Sequence, residues 1–450
     1  MIERFRGRAL LADEQGLGKT IQALDFIAQH EQIATPGLIV CPAALKENWA
    51  LEAYKHYGLE CDIAEGQMSP LDPIPHKLLI INYDVLIHWQ EYLSKIDWKT
   101  IIADECQRIK NHKAKSSRAF RRIANRTDSD NPRVIKNKRI PFALMLSGTP
   151  IENRPFEIWN PLSILNSKEW GTEFEFGSKY CEARWYRGEF QYKGADNLEE
   201  LNYRLRKNCL IRRRKAEVLK DLPDKRRQIL PCKLSDYPEY NHAAEDLVGW
   251  LLDQKKTAQA QRAARTESLV RIGYLLRLCA ELKREIIYEM IDTHLETTDR
   301  KLVVFAWHRS VLEDLENRYK NSVSIHGKTP KRLRQANVDS FQKDDRVRLF
   351  FGQYKSAGAG ITLTKASDSL MVEWWYVPGV LLQAEDRTHR IGQTNAALVT
   401  YLTAMDTVEE DLAGITQRKA RQINAAIDGG KAEKFDVFDE FLKAIEKRHG

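Results

Sequence analysis

The stretch Asp13-Glu14-Gln15-Gly16-Leu17-Gly18-Lys19-Thr20 constrains this chain more than any other. It follows a short apolar run, Ala9–Ala12, and precedes a segment with Ile21, Leu24, Ile27 and Ala28 at helical spacing. A strand, a glycine loop and a helix in that order make a phosphate-binding loop. Gly16, Leu17 and Gly18 would turn backbone N–H groups toward phosphate oxygens, and the helix N-terminus adds a favourable field. Lys19 would reach the β- and γ-phosphates, and the Thr20 hydroxyl would ligate magnesium. The general pattern has glycine at the first position, where this chain has Asp13. The competing reading is a glycine turn ahead of a buried helix.

Such a loop requires a parallel α/β scaffold, and the chain has the matching rhythm. Strand-like runs recur at Leu38–Cys41, Leu78–Ile81, Thr100–Ala103 and Ala143–Leu146. They resume at Leu302–Phe305, Val323–Ile325, Val347–Phe351, Leu370–Val372 and Val399–Leu402. Alternation of such runs with helical patterns predicts parallel sheets covered by helices. Residues 155–225 and 235–297 read as helical insertions. The expectation is an α/β chain of two tandem lobes, 1–232 and 233–450, with a helical segment over 408–450. At 450 residues and 43% hydrophobic content the chain can bury such cores, and no apolar run is long enough to span a membrane. The first thirty residues show no signal-peptide pattern. Seven scattered cysteines form no C-x-x-C pair, which points to reduced thiols and away from a zinc module.

Two further constellations carry chemistry. Thr100–Ala103 ends in Asp104-Glu105. Two acids at a strand end need cations or a wet cleft. Asp104 would hold magnesium, and Glu105 would orient the attacking water. Gln383–Gln393 contains Arg387 and Arg390, three apart and expected on one helical face. Two guanidinium groups there could offset transition-state charge, although Glu385 and Asp386 also allow a salt-bridged surface helix. The turn Ser147-Gly148-Thr149-Pro150 is a weaker signal.

The net charge is only +8, but it is unevenly spread. Residues 107–139 hold 12 basic and 2 acidic side chains, 202–227 hold 11 and 3, and 320–343 hold 6 and 1. These segments carry +23 on a body of −15, an expected footprint for a polyanion. Solvated helix faces are the blander reading.

Taken in order, Asp13–Gln22, Cys41–Leu45, Ile81–Tyr83, Asp104–Gln107, Ser147–Pro150, Ile325–Gly327, Ser356–Leu363 and Gln383–Gln393 resemble the Swi/Snf-type ATPases of helicase superfamily two. The wording Pro378–Arg387 is most similar to the annealing-helicase (HARP-type) branch. Asp at the first loop position is typical of that family. The resemblance implies two RecA-like lobes acting on ATP, with helical protrusions between them. It implies a DNA-dependent ATPase moving along double-stranded or branched DNA without separating strands. Catalysis would rest on Lys19, Asp104, Glu105, Arg387 and Arg390, with Gly360 and Gln383 also at the nucleotide. DNA contacts would come from the Pro42–Trp49 segment with Lys46, from Asn111 and Lys113, from Lys328 and Arg332 in the His326–Arg332 segment, and from Thr362. Cys106-Gln107 stands where many relatives have Ala-His or Gly-His. The 12 residues before Asp13 show no glutamine-centred adenine segment of the family type. With no reader or nuclease module visible, targeting would need a partner protein, and a monomer is expected. The expected location is cytoplasmic for a bacterial or viral source and nuclear for a eukaryotic one. An ATP-gated DNA clamp and an RNA or single-strand helicase are the alternatives.

Overall fold

The computed structural model describes residues 2–67, 76–126, 139–186, 188–254, 260–357 and 360–430. The chain forms two units, residues 1–220 with the helical turns from Arg421, and residues 221–420.

The first unit holds β1 (Arg8–Leu11), β2 (Gly37–Cys41), β3 (Cys61–Ile63), β4 (Leu78–Asn82), β5 (Thr100–Asp104), β6 (Phe142–Leu146), the short strands β7 (Arg184–Tyr186) and β8 (Glu189–Gln191), and β9 (Leu210–Ile211). Seven of these make one parallel sheet in the order β3-β4-β2-β5-β6-β1-β9, while β7 and β8 form a separate antiparallel hairpin. Side chains alternate across a strand, and here both faces are covered. Leu10, Val40, Ile81, Ala103 and Met145 face one core, and Leu11, Ile39, Ile80, Ile102 and Leu146 face the other. Burial on both sides is why these strands read as unbroken apolar runs.

The second unit contains β10 (Lys225–Cys232), β11 (Lys301–Ala306), β12 (Ser322–Ile325), β13 (Leu349–Gln353), β14 (Ala366–Met371) and β15 (Ala397–Ala404). Its parallel sheet runs β10-β15-β14-β11-β13-β12. Helices Tyr237–Gln254, Ala260–Leu282 and Arg284–Thr297 precede β11, as the helical reading of 235–297 anticipates.

The boundary expected after residue 232 needs correction. β10 pairs with β15 from Lys225↔Ala397 to Cys232↔Ala404, so the second unit begins at Asp221. β10 is an edge strand whose side chains are mostly exposed, so it lacks the apolar run that marks the others. The segment 155–225 is also not wholly helical, since it supplies β7, β8 and β9. The helix Val408–Asp428 occupies the first part of the segment read as helical over 408–450; residues 431–450 lie outside the described residues. Among the described residues no helix is long and apolar enough to cross a membrane, and no three His, Cys, Asp or Glu side chains cluster as a metal site. All seven cysteines are free.

Candidate nucleotide and nucleic-acid sites

β1 delivers the chain into Asp13–Gly18, and the helix Lys19–Gln29 starts at once. Gly16 and Gly18 have φ of 86° and 71°, a left-handed conformation that glycine adopts without a Cβ penalty. A Cβ on Gly18 would meet nothing within 4 Å, so the loop is open on that side. Leu17 accepts a hydrogen bond on its carbonyl from Gln22 Nε2 at 2.8 Å. Lys19 Nζ donates to the carbonyls of Asp13 and Glu14 at 2.7 and 3.1 Å. Burial lowers the Lys19 pKa to about 8, against the opposing pull of Glu105, Asp104 and Asp13.

The unusual Asp13 has a specific structural use. It is fully buried and accepts from the Arg213 amide at 2.8 Å, from Arg213 Nε at 3.0 Å and also from Arg213 Nη2. Gln22 Nε2 donates to it at 3.0 Å, and Arg213 Nη2 donates to Gln22 Oε1 at 2.7 Å. The next residue, Arg212, donates through Nη1 to the carbonyls of Ala12 and Gly148 at 2.7 and 3.3 Å. It also makes a two-pronged pair with Asp428 at 2.7 and 3.1 Å. Arg212 and Arg213 thus tie the phosphate loop and the Ser147–Pro150 turn together. In the sequence they stand out only as charge, and their one local signal is the short apolar run Cys209–Ile211 ahead of them. Gly148 leaves no room for a side chain, since a Cβ there would overlap Gln15 and stand 3.3 Å from Lys19 Nζ.

β5 ends in Asp104, which is held on every side. Trp49 Nε1 donates to Oδ2 at 2.8 Å, the Glu105 amide donates to Oδ1 at 3.0 Å, and Tyr83 donates to its carbonyl at 2.7 Å. Glu105 has φ 52°, which bends the chain sharply after the strand. Its Oε2 accepts from Gln107 Nε2 at 2.6 Å, while Gln107 Oε1 is buried with no hydrogen-bond partner among the described residues. Burial and the neighbouring Glu105 push the Asp104 pKa up to about 7, against the Trp49 hydrogen bond and Lys19. A carboxyl with a raised folded pKa stabilises the protein below its unfolded value and loses that contribution as pH rises through the folded one. The stability of the wild type minus that of Asp104→Asn is therefore expected to fall as pH goes from about 4 to about 7 and then level off. Chemical unfolding of both proteins across that range measures it; a flat difference would contradict the buried-carboxyl geometry.

In the second unit the helix Pro378–Glu385 ends before the two arginines. Arg387 and Arg390 therefore sit on a turn rather than on the expected helical face. They still converge, both donating to the Ile361 carbonyl at 3.1 and 3.0 Å. Arg387 is only 3% exposed and also bonds the Gln383 carbonyl at 3.1 Å. Arg390 is half-buried and reaches Thr362 Oγ1 at 3.1 Å. Gly360 has φ 75° beside them. Glu385 does not make a surface salt bridge. It is buried, and although burial raises its pKa, Lys225 and Arg227 hold it below the ordinary value. Arg227 donates to it at 2.6–2.9 Å, Lys225 at 3.0 Å and Tyr401 at 2.8 Å.

The expected DNA contacts divide. Asn111, Lys113, Lys328 and Arg332 are exposed. Asn111 Oδ1 accepts from the Lys113 amide at 3.0 Å. Lys46 Nζ instead donates to the Ala64 carbonyl at 2.7 Å, Trp49 is fully buried on Asp104, and Thr362 is engaged by Arg390.

The basic segments also need correction. In 107–139, Arg121 is 3% exposed, donates to Asn160 Oδ1 and lies 5.9 Å from the Trp159 ring. Arg126 pairs with Asp97 at 2.5 Å. Residues 127–138 lie outside the described residues. In 202–227, Arg204, Arg212, Arg213, Lys225 and Arg227 all hold acids of the chain itself. A buried or partly buried guanidinium needs such partners. Much of the +23 is therefore internal framework.

Comparison with known proteins adds independent findings. The SNF2-related domain matches residues 2–285, and the helicase conserved C-terminal domain matches 282–392. A SWI/SNF-related, matrix-associated, actin-dependent regulator of chromatin subfamily A-like protein 1 homolog from Caenorhabditis elegans is 34% identical over 92% of this chain and 58% of its own. The DNA annealing helicase and endonuclease ZRANB3 of Bos taurus is 31% identical over 98% and 42%. The chain thus spans about half the length of the curated relatives it matches. The Sulfolobus solfataricus SWI2/SNF2 ATPase core in complex with dsDNA is 24% identical over 99% of this chain and 94% of that one, with a TM-score of 0.42.

Proposed function

We propose, from the premise that the chain belongs to the SNF2-related family, that it hydrolyses ATP and uses each cycle to move along double-stranded DNA. The observation that carries this reading is the assembly in one unit of the glycine loop, Lys19, Thr20 and the Asp104-Glu105 strand end. The residues suit a magnesium–nucleotide. Gly18 opens onto free space, and Thr20 has no side-chain hydrogen bond among the described residues. Asp104 offers two carboxylate oxygens held in place by Trp49 and a backbone amide.

Thr20 and Asp104 would hold magnesium, which would neutralise phosphate charge. Lys19 exchanges two loop carbonyls for phosphate oxygens. Glu105, steadied by Gln107, orients the attacking water, for which the unpartnered Gln107 Oε1 offers a second acceptor. Arg390, with Arg387 fixing its turn, offsets the charge that develops on the transferred phosphoryl group. Asn111, Lys113, Lys328 and Arg332 are the exposed groups left to contact DNA phosphates, which gives affinity without base reading. The similarity of the chain to annealing helicases favours DNA over RNA as the track.

The test is the ATPase rate with duplex DNA, single-stranded DNA, RNA or no nucleic acid, followed by displacement of a triplex strand. Stimulation by duplex together with displacement is expected. Stimulation without displacement indicates a clamp, and RNA preference indicates the other helicase class. Lys19→Ala is expected to abolish hydrolysis, and wild-type turnover in that variant would overturn the site.

A further inference from the structure

A second cationic site lies in the first unit, outside the phosphate loop. A cavity of about 480 Å³ opens over the edge strand β9. Arg4, Phe5, Tyr203, Arg206, Lys207 and Arg212 line it, and among the described residues no acidic side chain does. Its volume falls in the range of small-ligand sites, about 300–1,000 Å³.

The four cations are not equivalent. Arg212 and Arg206 are engaged at the last turn of the helix Val408–Asp428, by the Asp428 carboxylate and by the carbonyls of Ile427 and Asp428. Arg4 and Lys207 are exposed, and among the described residues neither has a carboxylate partner. Each lies instead over an aromatic ring. The Arg4 guanidinium is 5.4 Å from the Phe5 centroid, and Lys207 Nζ is 6.0 Å from that of Tyr203. Tyr203 is 64% exposed, unusual for so large a ring.

We propose that this cavity binds single-stranded nucleic acid, with a base stacked on Tyr203 and neighbouring phosphates at Lys207 and Arg4. Paired cation and ring recur on two separate elements facing one cavity, the combination by which unpaired strands are held. A duplex has its base faces already stacked and cannot use the ring. An acidic peptide would use the cations but gain little from it. The site goes beyond the motor reading, since none of its contacting groups belongs to the phosphate loop or the expected duplex contacts. Arg212 links the two, because the guanidinium in the cavity wall also bonds the carbonyls of Ala12 and Gly148.

Fluorescence anisotropy of the full chain with labelled oligo-dT and oligo-rU of about 16 nucleotides, and with duplex of the same length, tests this. Tyr203→Ala is expected to weaken single-strand binding about 10-fold, with duplex affinity and duplex-stimulated hydrolysis unchanged. Tyr203→Phe should keep the affinity, and Lys207→Glu should lower it and reduce the salt slope by about one. The dT and rU arms tell which strand the cavity prefers. Unchanged single-strand affinity in Tyr203→Ala, equal losses on single strand and duplex, or equal binding of an acidic peptide would overturn the proposal. Duplex-stimulated hydrolysis in the same variant keeps a failure here distinct from a failure of the motor reading.

Discussion

Arg390→Ala is expected to lower the DNA-stimulated ATPase rate by about 10³-fold with little change in thermal stability. The two arginines of this turn have different surroundings. Arg387 is 3% exposed and bonded to the Gln383 and Ile361 carbonyls, so its removal empties a packed position and takes a donor from the Gln383 carbonyl. Arg390 is half-buried, and its Nη1 bonds share the same Ile361 carbonyl. Arg387→Ala should therefore lower both the melting temperature and the rate, whereas Arg390→Ala should lower the rate alone. Arg390→Lys should recover little, because a point charge does not replace a planar fork. Steady-state ATPase assays with parallel thermal melts decide it. A rate that survives Arg390→Ala would make that arginine structural.

Lys283→Met is expected to cost about 3–5 kcal/mol of stability. Lys283 and Glu409 are both completely buried, with Nζ 2.6 and 2.8 Å from the two carboxylate oxygens. Nζ also donates to the Leu402 carbonyl at 3.0 Å, and the Ala404 amide donates to Glu409 at 3.0 Å. The pair joins the start of the helix Arg284–Thr297 to the end of β15 and to the last helix. Burial pushes the Glu409 pKa up even with Lys283 present, so without the lysine the carboxyl must protonate or stay uncompensated. The loss should shrink as pH falls and Glu409 takes up its proton. The double variant Lys283→Met, Glu409→Leu should regain most of the stability, because both charges are gone. Denaturant unfolding of the three proteins at two pH values tests this, and a single variant as stable as the wild type would refute it.

Runs buried on both faces, such as Leu38–Cys41 and Thr100–Ala103, were legible because continuous apolar sequence has few other uses. β10 was not legible, because its exposed residues take their place only by pairing with β15, more than 150 positions away. The basic segments misled for a related reason. Composition counts an arginine the same whether it faces solvent or a partner within the chain. Arg121, Arg126 and Arg213 are spent on Asn160, Asp97 and Asp13.

The sequence by itself determined the local form of the loop Asp13–Thr20. Gly16 and Gly18 take left-handed φ there, Lys19 and Thr20 follow them into the helix, and that spacing survives in any one-dimensional reading. It also determined the central strands of the two parallel sheets, those buried on both faces, which carry their burial in their composition. Only the tertiary structure decided why Asp13 stands where glycine is usual: Arg213, 200 residues later, closes the loop through it. Tertiary structure likewise decided which cations remain available to a ligand. Pairing a charge is a matter of distance in space, and the chain order of acids and bases does not record it.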